Sequence, residues 1–89
     1  MIQQSITIQN KLGLHTRAAA KLVDIAKKFS SKIDIACRSR AVDAKSIMGV
    51  ITLGAHKGSQ IDIAITGEDE QEAMVALVKL VNERFGEAE

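Results

Sequence analysis

Gln60-Ile61-Asp62-Ile63-Ala64-Ile65-Thr66 alternates Ile with small or polar residues without a break. Successive side chains of a strand point to opposite faces, so this segment has one face for a core and one for water. Clean alternation suits an antiparallel sheet covered on a single side; strands buried on both faces read as continuous apolar runs. The pattern recurs from Ile2 to Ile8, with Ile2, Ile6 and Ile8 on one face and Gln3, Ser5 and Thr7 on the other. It recurs again from Lys32 to Cys37 through Ile33, Ile35 and Cys37. A turn near Arg38 to Arg40 leads to a short third strand around Ala41 to Asp43.

Helical spacing fills the gaps between these strands. After a turn at Asn10 to Gly13, Ala19, Leu22, Val23, Ala26 and Phe29 form an apolar stripe, which predicts a helix from Thr16 to Phe29. Arg17, Lys21, Asp24 and Lys28 form its wet stripe. Lys45-Ser46 opens a brief helix through Ile47, Met48, Val50, Ile51 and Leu53. Glu68, Asp69, Glu70 and Glu72 crowd the start of a last helix, where acids complement the dipole, and Gly86 is placed to stop it. Phe85 falls within that helix on this reading. The order is β-α-β-β-α-β-α. It predicts an α+β fold, a two-layer open-faced sandwich with a four-stranded antiparallel sheet and three helices on one face. The β-α-β-β-α-β portion is similar to the split βαβ arrangement.

Composition narrows the function. The 89 residues suffice for one domain spanning residues 1–89. Apolar residues make up 46% but aromatics only 2%, so the core must be aliphatic. The opening residues lack the basic and apolar regions of a signal peptide, and no apolar run approaches a membrane span. The chain reads as a cytoplasmic monomer with no membrane insertion. His15, Cys37 and His56 lack zinc-ligand spacing, and no cofactor motif is present. Cys37 reads as a small buried hydrophobe and His56 as a solvated loop residue. Net charge is +1, but residues 1–60 balance at +7 and residues 61–89 at −6. That asymmetry suggests a basic face for an anion or an acidic partner. Nucleic acid is disfavoured, because base stacking needs aromatic platforms.

Gly13-Leu14-His15-Thr16-Arg17-Ala18-Ala19-Ala20 carries the chemistry. A helix N-terminus leaves backbone N–H groups unpaired and favours negative charge. A neutral imidazole there can attack a phosphoryl group, and Arg17 can supply planar, charge-assisted donors to its oxygens. Ser46 stands in N-cap position, which a capping role worth about 0.5–2 kcal/mol explains in full. A phosphate on Ser46 would add charge beside Ile47 and Met48, at least one of which a short helix must leave exposed.

Two segments together resemble the HPr family, the histidine-containing phosphocarriers of the bacterial phosphoenolpyruvate-dependent sugar phosphotransferase system. They are Gly13-Leu14-His15-Thr16-Arg17-x-Ala19-Ala20 and Lys45-Ser46-Ile47-Met48-Gly49, and the resemblance extends over the whole chain. It implies that His15 accepts phosphate on Nδ1 (a pros-phosphohistidine) from phosphorylated enzyme I and passes it to a sugar-specific IIA domain. Arg17 would assist, with the backbone N–H groups of Thr16 and Arg17 binding phosphate. Ser46 would be the target of an HPr kinase/phosphorylase. Arg17, Ala20, Ile47, Met48 and Gly49 would form the docking surface. Such a protein is a carrier without turnover of its own. Ala18 departs from the proline usual in the family; alanine is an excellent helix former and should preserve the helix. Two alternative readings fit the same residues: a nitrogen-related regulatory paralogue, and a noncovalent regulatory module acting through the Ser46 face.

Overall fold

The computed structural model describes all 89 residues, Met1–Glu89. The elements are β1 (Ile2–Thr7), α1 (Thr16–Ala26), β2 (Lys32–Cys37), β3 (Arg40–Asp43), α2 (Ile47–Thr52), β4 (Gln60–Thr66) and α3 (Glu70–Asn82), followed by a 3-10 turn at Arg84–Gly86. The strands form one antiparallel sheet in the order β1-β4-β2-β3. The three helices lie on one face of it, which is the two-layer α+β sandwich expected from the alternation.

Register explains the core. Ile33 pairs with Ile65, Ile35 with Ile63 and Cys37 with Ile61, so the apolar residues of the two central strands share one face. All five isoleucines are fully buried, and Cys37 is buried with them. The opposite face carries Asp34 beside Ala64 and Ala36 beside Asp62, and it is open to water. Ala19, Leu22, Val23 and Ala26 of α1 and Ala73, Met74, Leu77 and Val81 of α3 close the core from above. Each fully buried Leu, Ile or Val contributes about 1.5–3 kcal/mol relative to exposure. Ile2 and Ile6 are only half-buried because β1 is an edge strand.

Three element ends differ from the sequence reading. β1 stops at Thr7, although Ile8 is buried just beyond it. Helix α1 ends at Ala26 and not at Phe29, because the Lys28 and Phe29 amides bond only three residues back, to Ile25 and Ala26. That tighter turn leaves Phe29 packed against the core's edge. Helix α3 ends at Asn82, so Phe85 is not helical. Arg84 and Phe85 both take φ of +55° and Gly86 takes +78°. This left-handed run turns the chain back and drives the Phe85 ring, fully buried, into the core.

Asp69 also departs from a simple dipole role. Its carboxylate accepts from the Ser30 amide at 2.9 Å, the Ser31 amide at 3.0 Å and the Ser31 hydroxyl. The Ser31 hydroxyl and these amides hold the Asp69 carboxyl below the usual aspartate range. Glu70 serves the helix start instead, accepting from the Gly67 amide at 3.1 Å. Asp69 thus ties the α1–β2 connection to the head of α3.

Two consequences are testable in urea melts. Phe85→Ala should cost about 3–5 kcal/mol, as removal of a fully buried ring does; a loss below about 1 kcal/mol would contradict the packing. Asp69 binds its proton more weakly folded than unfolded, so its stabilisation is complete above the ordinary aspartate range near pH ~3.9 and fades as pH falls through the lower folded value. Asp69→Asn should therefore lower the midpoint at pH 7 and flatten the acid limb of the stability curve. An unchanged acid limb would refute the assignment.

Candidate functional site

The turn at Asn10 to Gly13 is closed from both sides. The Gly13 amide donates to Asn10 O at 3.2 Å, and the buried Asn10 Nδ2 donates to Gly13 O at 2.8 Å. Gly13 takes φ of +67°, and a Cβ there would lie 2.5 Å from Ala55 O and 2.7 Å from His56 Cα. Only glycine permits this approach. The next amide, Leu14 N–H, donates to Ala55 O at 2.9 Å while the Leu14 side chain enters the core. Residue 15 is thereby delivered to the head of α1.

His15 is the N-cap residue, with φ −74° and ψ 177°. Its carbonyl accepts the first helical bond, from Ala19 at 2.8 Å, but its ring makes no capping bond. The amides of Thr16, Arg17 and Ala18 have no protein acceptor, as expected for a first turn. The His15 side chain is about three-quarters buried (27% exposed). Arg17 is exposed and lines, with His15, Lys11, Leu12, Thr16 and Ala20, an open depression of about 940 Å³.

The remaining wall of that depression is the C-terminal tail, Glu87 to Glu89. Its part in the site was not legible beforehand. Glu87 Oε1 accepts from Asn10 Nδ2 at 2.9 Å, and Oε2 contacts His15 Nε2. The Asn10 bond foremost, then the His15 ring, holds the Glu87 carboxyl below the usual range. The Lys11 amide donates to Glu89 O, and Lys21 Nζ donates to Phe85 O at 2.7 Å. The one foreshadowing signal is the acidic balance of residues 61–89 against the basic balance of residues 1–60. The acidic end folds back onto the basic segment, so the depression carries both signs.

Ser46 caps α2 as its position suggests. Its Oγ accepts from the Gly49 amide at 3.2 Å, and its carbonyl accepts from Val50 at 3.0 Å. A Cβ on Gly49 would come within 3.2 Å of Val42 Cβ and 3.3 Å of Ser46 Oγ, so those side chains would have to give by a few tenths of an ångström to admit one. Both Ile47, 38% exposed, and Met48, 67% exposed, face water. The apolar docking candidates therefore include both residues and not one of them. Helix α2 packs against α1. His56 is exposed, as expected, with its Nε2 accepting from Arg38 Nη2 at 3.2 Å. No helix is long and apolar enough to cross a membrane.

The comparisons with known proteins bear on this geometry. Residues 2–83 match the family model described as PTS HPr component phosphorylation site. The chain is 53% identical over 89 residues to phosphocarrier protein HPr of Cupriavidus necator, covering 100% of both chains. It is 49% identical over 87 residues to HPr of Xylella fastidiosa, covering 98% of both. Among solved structures it is similar to HPr from Thermoanaerobacter tengcongensis, with TM-score 0.96, 45% identity and 100% coverage of both chains.

Gly13→Ala tests the seating of the histidine. The left-handed strain and the collision with Ala55 O should together cost about 1–3 kcal/mol or more in a urea melt. A stability within about 0.5 kcal/mol of the parent would show that the loop relaxes freely.

Proposed function

The chain belongs to the HPr family of phosphocarriers of the phosphotransferase system, and on that premise we propose that His15 Nδ1 is the atom that carries its phosphoryl group. The observation that carries this reading is the placement of one imidazole, free of any capping bond, beside three amides without acceptors and an exposed arginine. The lone pair of Nδ1 attacks phosphorus as the donor's bond to phosphorus breaks. The Thr16 and Arg17 amides and the Arg17 guanidinium receive the phosphoryl oxygens. No metal or general base is required, since the neutral ring nitrogen is itself the nucleophile.

The donor in this reading is phosphorylated enzyme I and the acceptor a sugar-specific IIA domain. Ala20, Ile47, Met48 and Gly49 form the surface on which either docks, with Arg17 at its edge. Exposure of Ile47 and Met48 on the short helix supports that role. Ser46 is a regulatory phosphorylation site for an HPr kinase/phosphorylase. Its exposure and its seat at a helix start support this: a phosphate there meets a favourable dipole, so the fold tolerates it while the docking face gains negative charge. Ala18 leaves the first turn with one more unpaired amide than proline would, and transfer should be little changed by Ala18→Pro.

Incubation with labelled phosphoenolpyruvate and enzyme I tests the acceptor. The protein should take up acid-labile label, and His15→Ala should take up none; full labelling of that variant would overturn the assignment. ATP with the kinase should give acid-stable label that Ser46→Ala abolishes. Persistence of that label in Ser46→Ala would place the modification elsewhere.

A further inference from the structure

The tail that touches His15 lies beyond residue 83, where the family match ends. It is nonetheless firmly built. Arg84 and Phe85 hold left-handed backbone that costs non-glycine residues about 1–2 kcal/mol each. Burial of the Phe85 ring and the Lys21 bond to its carbonyl offset that cost. The Glu87 amide then bonds to Arg84 O at 2.9 Å, and the Lys11 amide takes Glu89 O. What this construction delivers is a carboxylate held between Asn10 Nδ2 and His15 Nε2.

The direction of that last hydrogen bond can be decided. An ionised carboxylate only accepts hydrogen bonds. Asn10 Nδ2, facing two oxygens (Gly13 O and Glu87 Oε1), supports the ionised form of Glu87 by donating to it. His15 Nε2 must therefore carry a proton and donate it. A neutral ring with its proton on Nε2 has its lone pair on Nδ1, and Nδ1 makes no hydrogen bond to protein. The carboxylate thus fixes both the tautomer and the ring angle.

Resting on the reading of His15 as acceptor, we propose that Glu87 is a positioning residue, which holds the proton on Nε2 so that Nδ1 faces the donor with a free electron pair. In transfer, that pair forms the Nδ1–P bond, and the pair of the breaking bond leaves with the donor. Nε2 keeps its proton throughout, and the positive charge the ring acquires lies against the Glu87 carboxylate. In onward transfer the acceptor's lone pair attacks phosphorus, and the Nδ1–P pair returns to the ring. His15 neither gains nor loses a proton in the cycle. Lys11, Arg17, Lys21 and Glu89 are the other charged groups around this pair, and only Glu87 touches the ring.

The test uses the full chain labelled with ¹⁵N at histidine, with Glu87→Ala and Glu87→Gln as variants. The ring shifts of neutral His15 in the parent should report a protonated Nε2, and a slowly exchanging Nε2 proton should be visible. Glu87→Ala should lose that protected proton and mix the tautomers. Glu87→Gln keeps a carbonyl acceptor and should restore both. In phosphoryl transfer from phosphorylated enzyme I, kcat for Glu87→Ala should fall by about tenfold with KM little changed, the size expected when a histidine loses its orienting partner. Glu87→Gln should recover most of the rate. A parent ring protonated on Nδ1, a Glu87→Ala protein transferring at the parent rate, or a loss confined to KM would overturn the proposal. Label uptake by His15→Ala would sink the acceptor assignment itself. Its loss there, alongside full-rate transfer by Glu87→Ala, would remove only the role of Glu87.

Discussion

The approach of Gly13 to Ala55 holds the site together. At that point two loops some forty residues apart in sequence meet at one carbonyl: Leu14 N–H donates to Ala55 O, and the absent Cβ of Gly13 leaves room for it. The contact ties the entry of α1 to the exit of α2. It sets the imidazole at the one end of α1 where backbone donors are unpaired. The sheet beneath supplies stiffness through the fully buried isoleucines of β2 and β4. Chemistry is therefore carried on loops, with the packed layer serving as a frame.

The arrangement reconciles two demands on a carrier. Its phosphoryl group must be stable enough to survive a trip between partners and labile enough to leave. In the proposed function, unpaired amides and a guanidinium would stabilise the phosphoryl oxygens without covalent help, leaving the nitrogen–phosphorus bond as the only bond to break. The partly buried ring lies in an open depression, so one face can serve donor and acceptor in turn. A carrier needs no pocket that encloses a substrate.

Much of this was legible in the residues. Alternation in Gln60 to Thr66 and Lys32 to Cys37 announces a sheet wet on one side, and the buried isoleucines sit where that alternation puts them. The glycine turn, the histidine at the helix head and the Ser46 cap follow from local rules. The tail did not. Arg84 and Phe85 adopt left-handed backbone that no local signal announces for such side chains, so a helix running to Gly86 was the natural expectation. The contact of Glu87 with His15 joins residues 72 apart in sequence and depends on that unannounced reversal. Likewise Asp69 looks like an ordinary helix-start acid until the Ser30 and Ser31 amides are seen to converge on it. Long-range polar contacts leave no periodic trace, whereas apolar faces do.

The most direct measurement is the one-bond coupling between phosphorus and a ring nitrogen in the phosphorylated, ¹⁵N-labelled protein. ³¹P should couple to Nδ1 of His15, with the Thr16 and Arg17 amide protons moving downfield as they take up phosphoryl oxygens. Coupling to Nε2, or to any other residue with those amides unmoved, would contradict His15 Nδ1 as the acceptor.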